Sequence, residues 1–363
     1  MTHQSPPLRA ALALAGLLLT TAPRPAAACA MLTHRSETLA ESDHQQAIFS
    51  VGEEGGSTVE YRVAWEGDPA AFGWIIAVPD SVTAVEDGEL ARFVALTDQT
   101  APRVELQADP SEADAGCSCS RSLGAAKGDA GGGFGDTGAN SVSLVDQGFT
   151  GTYTYSLVSA DDSAALTAFL EADGFVLDPG AAENIAEYVE DGGWAFALLR
   201  VEPEEAGGSL PPIRLRLSDT RLVFPARMGQ MEGDRLLKTT WWVEGPSAAT
   251  LTGWSAADLV SLQIDDQDPE EAFLDALLEV GSLQTGAMRT YVGPAEGGGT
   301  LTRFDAAVSA RASSADATFT FADRADFQAT LEGRLRAARG LALPLGGLGL
   351  GLLWRARRRP AAS

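Results

Sequence analysis

The stretch 46–79 reads QAIFSVGEEGGSTVEYRVAWEGDPAAFGWIIAVP and contains the strongest strand signals in the chain. The pattern predicts two strands here, 47–51 and 59–65. A turn-forming run, 53–56, separates them. Apolar and polar residues alternate in the second segment, which indicates a strand with one buried face. Residues 72–78 are almost continuously apolar, which predicts a strand that is buried on both faces.

The rest of the chain mixes further strand patterns with short helical ones. Apolar residues recur at helical spacing in five segments, which are 90–97, 166–170, 185–189, 259–262 and 273–278. No regular strand–helix–strand unit joins them, and no internal repeat is present in the sequence. The pattern therefore predicts an α+β fold with mixed and antiparallel strands and several short helices.

Helix start signals precede three of these segments. Asp161 or Asp162 is placed to cap the helix over 166–170. Ser255 with Asp258 is similar to a capping box, which predicts a helix start there. Pro269 follows an aspartate and precedes two glutamates, an arrangement typical of the first helical position.

The composition changes between residues 108 and 141. This stretch is rich in Gly, Asp, Ser and Ala, includes a glycine triplet at 131–133, and has almost no large apolar side chains. Such a segment buries too little apolar surface to offset the entropy lost when its backbone orders. We therefore predict a flexible insert over 108–141, between an N-terminal α+β part, 29–107, and a main α+β part, 142–339.

The N-terminus has the pattern of a secretory signal peptide over residues 1–28. One basic residue precedes an apolar run, 10–19, and small residues lead to Ala28. Cleavage between Ala28 and Cys29 would place a cysteine at the first mature position, where a lipoprotein carries its lipid. The preceding sequence has Ala26 at the position where a lipoprotein signal usually has an aliphatic residue such as leucine.

The C-terminus contains a second apolar segment. Residues 340–354 carry no charge and have the composition of a membrane or sorting helix, although 15 helical residues rise only about 22 Å against a hydrocarbon core of roughly 30 Å. Snorkelling arginines could make up the difference. The tail 355–363 is predicted to be cytoplasmic, since a membrane stop is supplied by Arg355, Arg357, Arg358 and Arg359. The alternative is an apolar tail that docks on a soluble domain.

The charge balance excludes one large class of function. The chain has 50 acidic and 26 basic residues, a formal net charge of −24. Six of the basic residues are arginines of the two terminal segments, so the body keeps 20 and has a net charge of −30. A nucleic-acid-binding surface needs a basic face, so no nucleic-acid partner is expected. Attachment to a membrane would have to come from the ends of the chain.

Two stretches of the body resemble one bacterial protein family. They are 46–79 and 153–228, which includes ALTAFLEADGF, AEYVEDGGWAFALLRV, PPIRLRL and VFPARM. The chain is similar here to the bacterial domain of unknown function 2330 family, and the most specific motif comprises Gly67, Asp68, Phe72 and Trp74. The resemblance implies a secreted protein with a C-terminal membrane segment. It implies no reaction, cofactor or catalytic residue.

The three cysteines leave several pairings open. Cys117 and Cys119 lie in the predicted insert, and Cys29 lies at the predicted mature N-terminus. A bond between Cys117 and Cys119 would be strained and easily reduced, whereas a bond from Cys29 to one of them would leave an odd thiol. Neither histidine nor a further cysteine lies nearby in the sequence, so a metal site is not expected.

The sequence offers few candidates for catalysis. His34 and His44 are the only histidines of the mature chain, and Ser255 lacks the second glycine of a nucleophile elbow. The glycine-rich run 132–136 partly matches one calcium-binding repeat turn, a weak signal for calcium-assisted adhesion. We therefore assign no catalytic, cofactor-binding or metal-binding residue.

We predict that five tryptophans lie in strands and serve packing rather than a carbohydrate platform: Trp65, Trp74, Trp194, Trp241 and Trp242. Trp241 and Trp242 are adjacent, and neighbours on a strand point to opposite faces, so one of the two is a candidate for exposure.

These observations together favour a membrane-anchored protein of the cell envelope whose main body lies outside the cytoplasm. The expected role is structural or partner-binding, with an envelope protein or a glycan as the partner and with no cofactor. The alternative function is a hydrolase of the envelope that uses carboxylates. Paired carboxylates facing each other in a deep pocket would favour this alternative.

Overall fold

The fold is given by a computed structural model. It describes residues 31–34, 41–52, 55–66, 72–108, 141–175, 177, 179–201, 211–228, 236–265, 267–280, 285–309 and 315–335.

The described residues form twenty strands and four helices, so the protein is mostly β. The prediction of a balanced α+β fold was therefore wrong. One reason is the segment 255–262, which was predicted to be a helix and forms two short strands instead. No helix in the described ranges is long and apolar enough to cross a membrane. The segment 340–354, predicted to be such a helix, lies outside them, as do the residues 109–140 of the predicted insert.

Two sheets make up the body, and all elements are numbered in chain order. The smaller sheet has five antiparallel strands, in the spatial order β1 (Met31–His34), β4 (Phe72–Pro79), β9 (Trp194–Val201), β8 (Tyr153–Ala160) and β7 (Val142–Phe149).

The larger sheet has nine strands. Eight follow one another in the order β14 (Ala256–Asp258), β16 (Thr285–Pro294), β17 (Thr300–Ser309), β12 (Leu236–Gly245), β2 (Glu41–Val51), β3 (Ser57–Glu66), β10 (Ile213–Leu217) and β5 (Val82–Asp87), and β19 (Phe327–Gln328) pairs with β16. The central pair, β12 and β2, is parallel, with Trp241 opposite Ala47.

Two three-stranded sheets and four helices complete the fold. One small sheet has the order β11 (Leu222–Phe224), β18 (Ala317–Ala322) and β13 (Ala248–Thr252), and the other β15 (Ser261–Ile264), β20 (Thr330–Leu335) and β6 (Arg103–Ala108). The helices are α1 (Leu90–Thr100), α2 (Ser163–Ala172), α3 (Pro179–Asp191) and α4 (Pro269–Val280).

The central core lies between the five-stranded and nine-stranded sheets. Alternate residues of each strand enter it, as the period of two requires. From the larger sheet come Phe49, Tyr61 and Trp241, and from the smaller sheet come Trp74 and Leu199. The β11–β18–β13 sheet adds its own apolar residues to the same cluster. The alternation predicted for 59–65 is thus confirmed for the described side chains, with Val59, Tyr61 and Val63 in the core.

Helices cover the outer face of the smaller sheet. The strand residues that point away from the central core, such as Ile75 and Phe196, pack against Leu166 of α2 and Tyr188 of α3. The predicted cap of α2 is confirmed, because the Asp162 carboxylate accepts a hydrogen bond from the Ala165 N–H at 2.8 Å. The predicted first helical position of α4, a proline, is confirmed as well.

The outer face of the larger sheet is covered by α1 and α4, which pack at separate places. Phe93 of α1 lies edge-on against Trp242, with 6.1 Å between the ring centroids. Leu277 of α4 packs in a second cluster with Met288. Both Trp241 and Trp242 are fully buried, one in each face of the sheet. The exposure expected for one of them was wrong, because α1 covers the outer face at this point.

Charged residues fix α1 to the same sheet face. Arg92 forms ion pairs with Glu60 and Glu244, and Arg214 pairs with Glu60 at 3.1 Å. The Glu60 side chain is fully buried. Two arginines therefore compensate one buried carboxylate, which would otherwise be strongly destabilising.

We predict that Phe93→Ala lowers the free energy of unfolding by about 3–5 kcal/mol, because it empties the contact between α1 and Trp242. Val94→Ala is the matched control, since its side chain is 51% exposed and the change should stay within about 0.5 kcal/mol. Urea unfolding of both variants checks this. Equal losses in the two variants would contradict the assigned packing of α1.

Candidate functional site

The candidate site lies on the outer face of the nine-stranded sheet, at the junction of β2, β12 and β17. The pairing of β2 with β12 sets Lys238 opposite His44 and Thr240 opposite Gln46. The pairing of β12 with β17 sets Thr240 opposite Asp305. These positions share one face because each strand exposes every second residue to it. The site is thus built from distant parts of the sequence by strand register alone.

A cleft of about 200 Å³ opens at this junction, under α4. Its polar part is lined by His44, Lys238, Thr239, Thr240, Glu270, Arg303 and Asp305, and its apolar part by Phe273, Leu274, Leu277 and Ala306. The cleft is smaller than the roughly 300–1,000 Å³ of pockets that hold drug-sized ligands. Its size suits one side chain or a small molecule.

Asp305 forms the floor of the cleft and is 5% exposed. Its carboxylate accepts hydrogen bonds from the hydroxyls of Thr240 and Thr290, at 2.9 and 2.7 Å. Arg303 lies two residues away on the same strand face and donates to it at 2.9 Å. A carboxylate with this many donors has its charge and its lone pairs satisfied. Asp305 therefore acts as an anchor for its neighbours.

His44 is joined to this floor through Thr240, with 3.0 Å between His44 Nε2 and the threonine hydroxyl oxygen. Because the Thr240 proton is donated to Asp305, the hydroxyl oxygen accepts the bond from His44 Nε2–H. A nucleophilic triad needs the opposite direction, in which the hydroxyl donates to the imidazole. The direction of the hydrogen bonds from His44 through Thr240 to Asp305 thus does not activate Thr240 as a nucleophile.

Arg303 connects the cleft to α1. Its guanidinium lies over the Trp242 ring, at 5.7 Å from the centroid, and approaches the Thr100 hydroxyl at 3.4 Å. The Trp242 indole N–H donates to that hydroxyl at 2.9 Å, and Thr100 in turn donates to the Leu96 carbonyl. Arg303 is consequently held in one orientation by the ion pair with Asp305, the Trp242 ring and the hydroxyl of Thr100 at the end of α1.

The mouth of the cleft is formed by Lys238 and Glu270. They make an ion pair at the surface, and the Glu270 side chain is mostly exposed. Exposed pairs of this kind contribute little to stability, so the two side chains can separate without a large cost. Glu270 lies in the first turn of α4, and Phe273 and Leu274 follow it to form the apolar wall.

The structure brings one of the two candidate histidines, His44, into this site. The described part of β1 includes His34 but not its side-chain environment. Ser255 is exposed and directly precedes β14, so its predicted role as a helix cap was wrong. Ala28, the three cysteines Cys29, Cys117 and Cys119, and the four arginines Arg355, Arg357, Arg358 and Arg359 lie outside the described residues.

Sequence reasoning missed Thr240, Arg303 and Asp305. One local signal was available, because Arg303 and Asp305 are two apart in a strand and therefore share a face. Nothing in the sequence indicated that this face would meet His44. Within the described ranges, no group of three or more His, Cys, Asp or Glu side chains could hold a metal ion.

The fold thus defines a mostly-β protein with two packed sheets, and a small cleft lies on the outer face of the larger sheet. The chain belongs to a family of uncharacterised proteins conserved in bacteria, domain of unknown function 2330, whose family model matches residues 23–235. This confirms the resemblance seen in the sequence. No curated protein matches the chain.

Solved structures give only weak matches. The crystal structure of baculovirus P35 is 10% identical with a TM-score of 0.32, and the match covers 79% of this chain and 98% of that one. A mutated baculovirus P35 after caspase cleavage, at 3.1 Å resolution, is 8% identical with a TM-score of 0.31, and the match covers 79% and 97% of the two chains. Scores this low carry no conclusion about fold or function.

We predict that Arg303→Met lowers the free energy of unfolding by about 3–5 kcal/mol, because it leaves Asp305 as an uncompensated buried carboxylate. Arg303→Met combined with Asp305→Asn should cost clearly less than the sum of the single changes. The measurement is a double-mutant cycle by urea unfolding, with the exposed Arg216→Met as a control that leaves stability nearly unchanged. Additive losses would show that the pair is not coupled.

Proposed function

We propose that the protein is an exported, non-enzymatic protein of the bacterial cell envelope that binds a partner through the cleft of His44. The cleft would bind one side chain of the partner or a group of similar size. This group would have an apolar body and a hydrogen-bonding end. The observation that carries this proposal is the two-sided lining of the cleft, in which Asp305 and its donors face the apolar residues of α4.

The cleft chemistry supports binding because its charges are already paired internally. The buried Arg303 is held by Asp305, whereas the exposed pair of Lys238 and Glu270 lies at the mouth, where it can open to admit a ligand. A ligand that enters therefore meets fixed hydrogen-bonding groups without having to neutralise a buried charge. Such fixed polar groups orient a ligand, while an apolar wall supplies most of the favourable transfer energy.

A carboxylate-dependent hydrolase gains no support from this cleft. That chemistry requires one carboxyl group that can donate a proton and a second that acts as base or nucleophile. Asp305 and Glu270, the two carboxylates of the cleft, are each engaged by a cation. Neither is arranged as a general acid.

Export is supported by the signal pattern of residues 1–28. We predict that cells expressing the full chain yield a product that lacks these residues and lies outside the cytoplasm. Fractionation of the cells and mass spectrometry of the N-terminus check this. A chain with Arg9→Glu and Leu17→Arg, which disrupt the signal pattern, is the control and should stay in the cytoplasm. Intact full-length product in the cytosol of cells with the natural sequence would contradict export.

Binding in the cleft can be followed through the imidazole signals of His44. The whole chain has three histidines, so comparison with His44→Gln identifies these signals directly. We expect N-acetyl amides of tyrosine, phenylalanine and leucine to shift the His44 resonances in a saturable way, whereas N-acetylglycine amide should not. The reason is that only the larger side chains bury apolar area against α4.

Leu274→Trp should abolish these shifts, because the larger side chain fills the cleft. Leu278→Trp is the matched control, since Leu278 lies on the same helix but does not line the cleft. If the shifts persist in Leu274→Trp, or vanish equally in both variants, the cleft is not the binding site.

A further inference from the structure

Arg62 is an exception among the partly buried arginines of the described residues. Its side chain is half-buried, yet its one hydrogen bond in the described ranges is donated from Nη1 to the neutral Gln46 amide oxygen, at 2.7 Å. Burial lowers the pKa of its guanidinium, as expected for a cation that no anion compensates. By contrast, six other arginines with half-buried or buried side chains each pair with a carboxylate, namely Arg92, Arg200, Arg214, Arg227, Arg289 and Arg303.

Strand register places Arg62 beside the His44 cleft. Gln46 lies between Arg62 of β3 and Thr240 of β12, since it is the register partner of both. All three residues lie on the outer face of the sheet, because Ile48, two residues after Gln46, packs outward with α1. Neighbouring strands are about 4.8 Å apart, so Arg62 is two strands, or roughly 10 Å, from the cleft residue Thr240. Its guanidinium reaches back to the Gln46 side chain on the strand between them.

The charges around the cleft leave a local excess of one positive charge among the described residues. The two cations and two carboxylates that line the cleft pair with each other. Glu60, two residues before Arg62 on the same strand face, is compensated by Arg92 and Arg214. The charge of Arg62 therefore remains. The body of the chain is acidic overall, so a local positive excess is a feature that an anionic ligand can recognise.

We propose that Arg62 binds the α-carboxylate of a peptide C-terminus whose last side chain occupies the His44 cleft. The inference rests on the proposed binding function and names its ligand, a partner chain that ends in a large apolar residue. In such a residue the carboxylate lies about 4–6 Å from the tip of the side chain, by standard bond lengths. This length is close to the one strand spacing that separates Gln46 from Thr240.

The arrangement of Arg62 and Gln46 suits a carboxylate. Gln46 accepts from Nη1 and so orients the guanidinium before a ligand arrives, whereas Nη2 makes no hydrogen bond among the described residues. A carboxylate that accepts from a guanidinium forms a charge-assisted hydrogen bond. The Gln46 amide nitrogen is a further donor on the same side chain, which can meet the second carboxylate oxygen. One C-terminal residue thus supplies both the anion for Arg62 and the apolar group for the cleft.

The first experiment compares two ligands on the unaltered protein at neutral pH. They are N-acetylphenylalanine, which has a free carboxylate, and its amide, and the dissociation constants come from the His44 imidazole shifts. We expect the free acid to bind about tenfold more tightly, because only the free acid forms a charge-assisted hydrogen bond with Arg62.

The outcomes separate this inference from the proposed function. Equal dissociation constants, or tighter binding of the amide, would overturn the role of Arg62 and leave binding in the cleft intact. No saturable shift with either ligand would instead contradict binding in the cleft, and with it the inference that rests on it.

Variants assign the preference to one side chain. Arg62→Gln should abolish it, so that the acid and the amide bind equally. Arg216→Gln is the matched control and should keep the tenfold preference. It removes the same charge from the same sheet face, but Arg216 is exposed and pairs with Glu86. Retention of the preference in Arg62→Gln, or its equal loss in both variants, would overturn the assignment to Arg62.

Two N-acetylated peptides distinguish a chain end from an acidic side chain. The first ends in phenylalanine with a free carboxylate. The second has an amidated end and carries a glutamate two residues after its phenylalanine, so the two peptides have equal charge. We expect the first to bind more tightly and only its affinity to fall in Arg62→Gln. Equal or tighter binding of the second would assign the site to an internal acidic segment and overturn the proposal of a C-terminus.

Discussion

The structure depends above all on the placement of β2 between β12 and β3. This strand has neighbours on both edges and buried residues on both faces. Phe49 points into the central core, whereas Ile48 points outward to meet α1. A shift of one residue along β12 would exchange these two faces, so the apolar pattern permits one register. The same register sets His44 beside Thr240 on the outer face and places Gln45 on the inner face.

Local sequence patterns predicted the elements whose stability is decided locally. The stretch 46–79 predicted three strands, because turn residues and a period of two are local signals. The bounds predicted for β3 and β4 lie within two residues of those observed, whereas β2 begins at Glu41, six residues before the predicted start. The helices α2 and α3 were likewise predicted; α3 ends where Gly192 and Gly193 take φ values of 68° and 73°, which favour glycine. The segment 255–262 was wrongly predicted to be a helix, since β14 and β15 are held by parallel partners later in the chain.

Two features could not be predicted from the sequence, the mostly-β character of the fold and the residues of the site. The physical reason is the same for both. An α+β interpretation followed from counting helical patterns, whereas the layer order depends on which strands pair across long distances. His44, Thr240 and Asp305 come together only through β2–β12 and β12–β17 pairing. Neither feature has a motif that one sequence can reveal.

The parallel pairing of β2 with β12 also affects how the chain is made. About 190 residues separate the two strands, so the β2–β3 hairpin leaves the ribosome long before its other neighbour exists. Until then one edge of the hairpin and the apolar faces of both strands stay unprotected. A topology dominated by such non-local contacts forms slowly, and the nine-stranded sheet cannot close around β2 before β12 has been synthesised.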